Sequence, residues 1–323
     1  MFLAKVAEEV AELVVELSVD RIQWRSRDRD NEDRGLPLDP NPLRHPSYDT
    51  AVAQPANASE VVLSGLIDYA GMYPPESLGL EDALALYLRH RHTRHQWMLG
   101  VFLCPSSKLH DLEWMLGGEP VPVGVVIDQH LAEAIDAISI SGLEIRQLET
   151  RDTSIAGSFD RIDPAQALWL EADAKVVLDI AAESPGRRIG VKVRCGGPKQ
   201  SDFPSTQILA EAMHATFACG LPLKATAGLH HPWRHFWPEL GVWRHGFLNL
   251  VAAATALVLN GDRDDATEML ECSEGRLGRG GLQMGNREFT VSELRSARTF
   301  LRSYGSCSFD EPVADLVAMG SLW

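Results

Sequence analysis

Two hydrophobic patterns alternate through the middle of the chain. Short apolar runs rich in β-branched residues recur, and most are followed by a segment whose apolar residues lie three or four positions apart. The first pattern is typical of buried strands and the second of amphipathic helices. The seven predicted strands cover residues 61–68, 97–104, 121–128, 143–150, 167–173, 188–194 and 221–228. The helices predicted between them cover residues 80–91, 106–116, 129–138, 175–183 and 205–218.

Strands that alternate with helices form βαβ units, and these units build parallel sheets. With an eighth strand predicted near residues 241–248, the set matches a closed barrel better than an open sheet. The first strand is not followed by the Gly-x-Gly-x-x-Gly pattern of dinucleotide-binding folds, and no Gly-x-x-x-x-Gly-Lys-[Ser/Thr] phosphate loop occurs. We therefore predict an α/β protein, a (β/α)8 TIM-type barrel, over residues 60–261.

The flanking segments are predicted to add helices to this barrel. Residues 1–59 combine apolar positions at helical spacing, interrupted by glutamates, with a polar linker that contains several prolines. They predict an N-terminal amphipathic helix and a linker, and not a secretion signal. Residues 262–323 predict a C-terminal helical appendage, with helices at 264–272 and 291–304 and a tail that packs on the barrel. The apolar stretch 247–261 predicts a buried helix.

Composition and charge narrow the class of protein. Of the 323 residues, 45% are hydrophobic and 23% are charged, as in typical globular chains. The formal net charge of −15 repels nucleic-acid phosphates, and no apolar run reaches the roughly 18 residues of a membrane span. Five scattered cysteines without a Cys-x-x-Cys pair argue against disulfides and a thiolate zinc site. We predict a cytoplasmic protein that binds a small-molecule substrate and neither nucleic acid nor membrane.

Charged side chains interrupt the sixth and seventh predicted strands. Side chains alternate between the two faces of a strand, and the apolar face of a barrel strand meets the helices. The polar face therefore points into the barrel, and it carries Lys192, Arg194, Lys224, Thr226 and Gly228. Carboxylates stand at the ends of other strands, where barrel active sites lie: Asp68, Asp128, Glu149 and Glu171.

Two lysines on neighbouring strands predict unusual chemistry. Burying an ammonium group costs several kcal/mol unless it is paired, and two such groups in reach of each other would each lower the pKa of the other. A lysine that loses its proton near neutral pH is a nucleophile toward carbonyl groups. The alternative is that Lys192 and Lys224 together grip a phosphate or carboxylate ligand.

The two lysine strands resemble those of class I aldolases of the deoxyribose-phosphate aldolase type. That family carries Lys-x-x-[Ser/Thr]-Gly, with the Schiff-base lysine, and then Lys-Ala-[Ser/Thr/Ala]-Gly-Gly, with an assisting lysine. Residues 192–196 (KVRCG) and 224–228 (KATAG) match these motifs at a separation of 224 − 192 = 32 residues. Cys195 replaces a hydroxyl residue, and WRHGFLNL stands in place of the family's phosphate loop. KATAGLHHP, HGFLN and GSCSFDEP are also similar to segments of uncharacterised bacterial proteins.

The resemblance implies that Lys192 forms an imine, that Lys224 tunes its pKa and that Asp128 shuttles protons, without a cofactor. From the residues themselves we add Glu171 and His231 as further proton-transfer groups and Arg194 as the partner of an anionic substrate group. The remaining predicted substrate-binding residues are Asp68, Thr226, Gly228, His230 and His245.

Four histidines crowd the segment after the seventh strand: His230, His231, His235 and His245. A metal site built from one of His230 and His231, with His245 and with Asp68 or Glu171, leaves a metal-dependent reaction open, although no His-Glu-x-x-His motif is present. The same loop contains Trp233, Trp237 and Trp243 and predicts a lid or an oligomer contact. The three hypotheses are an aldolase-like lyase, a metal-dependent lyase, isomerase or hydrolase, and a non-catalytic barrel that binds a metabolite or a protein. A homo-oligomer through the N-terminal helix or the Trp-rich loop is a further prediction.

Overall fold

The structure, a computed structural model, describes residues 57–322, which all belong to the unit His45–Trp323. The strands are β1 (Ile67–Tyr69), β2 (Leu99–Pro105), β3 (Pro122–Val126), β4 (Glu144–Thr150), β5 (Ala167–Leu170), β6 (Ile189–Arg194), β7 (Leu223–Thr226), β8 (His235–Trp237), β9 (Val242–Arg244), β10 (Gly275–Leu277), β11 (Gly281–Met284), β12 (Arg287–Thr290) and β13 (Leu301–Ser306). The α-helices are α1 (Ala58–Leu63), α2 (Leu80–His90), α3 (Leu109–Leu116), α4 (Leu131–Ile140), α5 (Ala174–Ala182), α6 (Thr206–Ala218), α7 (Phe247–Asn260), α8 (Arg263–Glu271), α9 (Val291–Phe300) and α10 (Asp310–Ala318).

Eight parallel strands close into a barrel in the order β1-β13-β7-β6-β5-β4-β3-β2. Helices alternate with most of these strands, so the structure is a (β/α)8 barrel, as the alternating pattern predicts. The register places Lys192 opposite Lys224 across β6 and β7, and Lys224 opposite Ser303 across β7 and β13. Three strands that carry polar luminal side chains are therefore neighbours.

The eighth barrel strand is not where the sequence pattern places it. Residues 241–248 were predicted to close the barrel, but β9 pairs with β8 in a two-stranded antiparallel hairpin. The barrel is closed by β13, which is flanked by β1 and β7, so the barrel extends well beyond residue 261. The predicted helix at 291–304 ends at Phe300 because the chain turns there into this strand. The segment 262–323 is therefore partly barrel and not only a helical appendage.

The start of the barrel also differs from the prediction. The apolar run at 61–68 begins as helix α1, whose first turn is capped by the Asn57 side chain, which accepts a 3.0 Å hydrogen bond from the Glu60 amide. Only Ile67–Tyr69 is strand. The predicted N-terminal amphipathic helix and most of the linker lie outside the described residues.

The hydrophobic core lies between the barrel and its helices. Outward-facing strand residues are buried there, for example Phe102, Leu148 and Val191. Helix α7 is buried from Phe247 to Leu257, which explains its continuous apolar sequence and confirms the helix predicted at 247–261. Burying a Val, Leu or Phe side chain in this core stabilises the fold by about 1.5–3 kcal/mol. Between residues 57 and 322, no helix is both long and apolar enough to cross a membrane.

Candidate functional site

Four luminal side chains form one network of ion pairs, which we call the lysine–carboxylate cluster: Asp68, Glu149, Lys192 and Lys224. The Lys224 ammonium contacts Asp68 and lies 2.7 Å from Glu149 Oε1. The other oxygen of Glu149 lies 2.8 Å from the Lys192 ammonium. Glu149 therefore bridges the two lysines.

Both lysines lie inside the barrel, but at different depths. Lys224 is fully buried at 0% exposure, whereas Lys192 is 8% exposed. Lys192 also lies 3.7 Å from Glu171 Oε2, at the carboxyl end of the barrel. Lys192 is thus the lysine nearer the carboxyl-end opening of the barrel, and Lys224 lies behind it.

The cluster holds Glu149 and Lys224 in their charged forms. Burial alone would raise the pKa of Glu149, but the ammonium groups of Lys224 and Lys192 outweigh it and lower that pKa to about 2. Burial alone would lower the pKa of Lys224, yet Asp68 and Glu149 outweigh it and raise that pKa. The expectation that the lysines depress each other's pKa is therefore wrong for Lys224, because the bridging carboxylate separates the two charges.

The carboxylate of Asp68 is fixed by three further donors. Its Oδ1 accepts a 3.0 Å bond from the Val101 amide, and its Oδ2 accepts bonds from Ser303 Oγ at 2.7 Å and Gln147 Nε2 at 3.2 Å. Gln147 also donates to Glu149 Oε1 at 3.1 Å. Sites with this many fixed partners are rigid, since every member restricts the rotamers of the others.

A layer below the cluster supports it by close packing. The Trp169 indole donates a 3.2 Å hydrogen bond to Gln147 Oε1. The ring fits only because residue 190 is glycine, since a Cβ there would lie 2.4 Å from the Trp169 ring and 2.7 Å from the Pro222 carbonyl oxygen. Gly190 therefore allows the tryptophan that orients the amide of Gln147.

Two arginines carry positive charge to the mouth of the barrel. Arg194 Nε lies 3.0 Å and Arg151 Nη2 lies 2.6 Å from Glu171 Oε1, and their side chains are 39% and 64% exposed. Burial would raise the pKa of Glu171, but the bonds from Arg151 and Arg194 and the charge of Lys192 lower it overall. With the lysine–carboxylate cluster, the site contains four cations and three carboxylates. The excess positive charge lies at the exposed end, where an anionic group of a ligand would bind.

A tyrosine that we did not predict as a site residue points into the same region. Tyr73 packs against the luminal residues Ala70, Val101 and Leu103. Its hydroxyl group is buried without a hydrogen-bond partner, and burial together with the Glu149 carboxylate raises its pKa. Leaving a buried hydroxyl group without a hydrogen-bond partner costs free energy of folding. The Tyr73 hydroxyl is therefore able to donate a hydrogen bond to an acceptor beside the cluster.

Asp128 has a local structural role. It accepts hydrogen bonds from Ser106 Oγ at 2.8 Å, the Ser107 amide at 3.0 Å and Ser107 Oγ at 2.6 Å. Burial opposes ionisation, but these bonds outweigh it and lower the pKa of Asp128. Asp128, which was predicted to be a proton shuttle, therefore connects the end of β3 to the short helical turn after β2 through these hydrogen bonds.

The histidines predicted to line the site bind to other groups. His230 and His231 lie 2.7 Å and 2.6 Å from Glu311 and Asp315 of α10, respectively. His245 Nε2 donates to the Pro204 carbonyl at 2.8 Å, and burial lowers the pKa of this histidine. In the described part of the chain, no group of three or more His, Cys, Asp or Glu residues is arranged to hold a metal ion.

Thr226 and Gly228 lie at the end of β7, as predicted. Thr226 is half-buried, and its hydroxyl lies near Gly305 of the neighbouring strand. Gly228 adopts a left-handed φ of 73° where the strand becomes a loop, and a Cβ there would lie 3.0 Å from the Cys195 carbonyl oxygen. Glycine is required at this position for backbone reasons alone.

Comparisons with known proteins do not identify a family for this chain. No protein-family model matches the chain, and no curated protein matches it. The resemblance of the lysine strands to the deoxyribose-phosphate aldolases therefore stays a prediction.

Proposed function

We propose that the protein is an aldolase-like lyase that acts on a small anionic carbonyl compound through an imine at Lys192. The observation that carries this proposal is the bridge formed by Glu149, which joins Lys192, the lysine nearer the mouth of the barrel, to the fully buried Lys224. Metabolite binding alone requires cations that face the ligand. It does not require a second lysine behind the first, bound to Asp68 and to the shared carboxylate of Glu149.

The bridge couples the charges of its two lysines. Imine formation requires the neutral amine of Lys192, and the carboxylates at 2.8 Å and 3.7 Å are the acceptors closest to its protons. Loss of the Lys192 charge removes one of the two cations that keep the pKa of Glu149 low. The proton affinity of Glu149 therefore rises as Lys192 becomes nucleophilic. Glu149 can then hold a proton that the later steps need.

Each of these groups has a role in the proposed reaction. Lys192 Nζ adds to the substrate carbonyl, and loss of water gives an imine that accepts the electron pair of the carbon–carbon bond when it breaks. A base takes the proton of the β-hydroxyl group, whose oxygen becomes the carbonyl oxygen of the released fragment, and Glu149 and Glu171 are the closest carboxylates for this role. Tyr73 supplies a donor for a substrate oxygen, and the arginines bind the anionic group.

A second candidate is a barrel that binds an anionic metabolite without reaction. It is favoured by the raised pKa of Lys224 and by the complete pairing of the cluster, because both describe a stable charged network. In this case both lysines serve only to balance charge.

Reductive trapping separates the two candidates. The full chain is incubated with small phosphorylated or carboxylated aldehydes and ketones in the presence of borohydride, and peptide mapping assigns any adduct among its six lysines. We expect an adduct at Lys192 that disappears in Lys192→Ala. It should persist in Lys175→Ala, which removes an exposed lysine of α5. An adduct that is spread over surface lysines, or no adduct at all, would exclude the imine mechanism and favour simple binding.

A further inference from the structure

A cysteine, a histidine and a glutamate form a second group at the carboxyl end of the barrel, which we call the Cys307 relay: Cys307, His230 and Glu311. Cys307 follows β13, His230 lies in the loop after β7, and Glu311 belongs to the first turn of α10. His230 Nδ1 lies 2.7 Å from Glu311 Oε2, and His230 Nε2 lies 3.6 Å from Cys307 Sγ. One imidazole therefore joins a carboxylate to a thiol.

The glutamate fixes the tautomer of the histidine. An ionised carboxylate can only accept a hydrogen bond, so His230 Nδ1 carries the proton that faces Glu311. The neutral ring then has its lone pair on Nε2, directed at Cys307 Sγ. Nucleophile, base and orienting carboxylate thus stand in the order that base-assisted nucleophilic sites use.

The surroundings of the sulfur show that it needs such a base. Cys307 is 6% exposed, and burial raises the pKa of its thiol to about 11 although the backbone amides of Glu76 and of Cys307 itself donate to the sulfur. The thiol is therefore protonated at neutral pH, and its reactivity depends on a proton acceptor. The same two amides also stabilise the sulfur as negative charge develops on it.

We propose that Cys307 is a nucleophilic site that adds to small uncharged carbonyl compounds, with His230 as its general base and Glu311 as the residue that positions His230. This proposal is independent of the imine chemistry at Lys192. Nothing in the lysine–carboxylate cluster is needed for it.

The step is balanced within the relay. The Sγ–H bond breaks and its proton passes to His230 Nε2, while the sulfur forms a bond to the carbonyl carbon. The π electrons of the carbonyl move to its oxygen, which then takes the proton back from His230. The product is a thiohemiacetal, and neither an oxidant nor a leaving group is required.

Local charge disfavours an anionic reaction partner. The charges of Glu76 and Glu311 raise the pKa of the Cys307 thiol, and the charges of Glu76 and Asp310 raise the pKa of the nearby Tyr69. Two cations also face this region: Arg244, whose pKa is influenced by Glu311 and Cys307, and Arg89, which lies 3.5 Å from Asp310 and acts on Tyr69. Acidic groups outnumber basic ones here, in contrast to the arginine-rich mouth at Glu171. The two sites should therefore prefer ligands of different charge.

Site-resolved alkylation tests the relay. The native full chain is treated with uncharged iodoacetamide or anionic iodoacetate, and peptide mass spectrometry follows each of the five cysteines. We expect Cys307 to react with iodoacetamide faster than the buried Cys104, whose pKa burial raises to about 12 and whose thiol bonds to a backbone carbonyl. The Cys307 rate should fall about 100-fold in His230→Gln, as expected from loss of a general base. The Cys307 rate should stay unchanged in His231→Gln, which removes the ion pair between the neighbouring His231 and Asp315 of α10.

The pH dependence and the choice of reagent provide independent readouts. With base assistance, the Cys307 rate should be nearly flat between pH 8 and about pH 9.5, whereas a free thiol with a pKa of about 11 gains about tenfold per pH unit there. Glycolaldehyde should protect Cys307 reversibly, and anionic glyoxylate should not. A rate that follows the thiolate fraction and does not respond to His230→Gln would overturn the proposal. Equal protection by the two aldehydes would overturn the assignment of an uncharged ligand.

Discussion

Replacing Glu149 by glutamine tests the physical basis of the candidate site. The substitution keeps the shape of the side chain but removes the charge that bridges Lys192 and Lys224. Lys224 keeps only Asp68 as an anionic partner, and Lys192 keeps only Glu171, at 3.7 Å. The amide can still accept hydrogen bonds, so the main change is electrostatic.

Two routes give the size of the effect. Removing one partner of a buried ion pair typically costs about 3–5 kcal/mol, because the remaining charge is left without compensation. The decrease in the pKa of Glu149 from 4.5 to about 2 corresponds to about 3 kcal/mol of stabilisation of its ionised form in the folded state. Both routes predict that Glu149→Gln lowers the free energy of unfolding by about 3 kcal/mol at pH 7.

The direction of the pH dependence follows from the lowered pKa. Glu149 stabilises the fold fully above its unfolded pKa of about 4.5, and this contribution is lost as pH decreases toward 2. The difference between the original protein and Glu149→Gln should therefore shrink over this range. Contributions from carboxylates that do not contact Lys192 or Lys224 are shared by both proteins and cancel in the difference.

Urea unfolding followed by tryptophan fluorescence measures this difference at a series of pH values. Glu133→Gln, at an exposed position of α4, is the matched control and should change stability by less than about 0.5 kcal/mol. A loss below about 1 kcal/mol at pH 7, or a difference that stays constant from pH 5 to pH 2, would show that Glu149 does not bridge two charged lysines.

Two further substitutions test the packing of Gly190 against Trp169 and the role of the Tyr73 hydroxyl group. Gly190→Ala places a methyl group 2.4 Å from the Trp169 ring and should destabilise the fold by about 1–3 kcal/mol in urea unfolding. Gly157→Ala, where no atom lies within 4 Å, should be nearly neutral; equal losses would refute the packing argument. Tyr73→Phe removes a hydroxyl without a partner and should leave stability unchanged or slightly higher, while it slows the reaction of the aldehyde identified by trapping about tenfold. A clear loss of stability with unchanged reaction would show that the hydroxyl serves the fold.

The parts of the fold and site that the sequence predicts are those with a local pattern. Alternation along β6 and β7 places Lys192 and Lys224 in the lumen because burial of the opposite face leaves them no other direction. Strand β13 was missed because Leu301–Ser306 has polar residues on both faces and directly follows a helix, so its pattern reads as the end of that helix. Its identity as a strand depends on the two free edges of β1 and β7, which no local pattern shows.

The partners of the two lysines could be predicted only in part. Glu149 was recognised as a strand-end carboxylate, but its position between the lysines depends on the stagger of the barrel strands. Gln147 shares its face, so strand parity alone could have identified it. Tyr73 lies in a loop, where no periodicity orients a side chain. The pairing of His230 with Glu311 joins segments that are distant in sequence, so the clustered histidines gave no indication of a thiol partner.

The late position of β13 in the chain has a consequence for folding. Ser303 and Asp68, which meet between the neighbouring strands β13 and β1, are 235 residues apart in sequence. Each doubling of loop length adds only about 0.6 kcal/mol to the cost of closure, so this separation affects stability little. It affects the order of events more, because contacts between distant segments form slowly. Until Leu301–Ser306 inserts, β1 and β7 present unpaired edges, and such edges can pair with other chains. Assembly of the candidate site, closure of the barrel and protection from aggregation therefore depend on the same step.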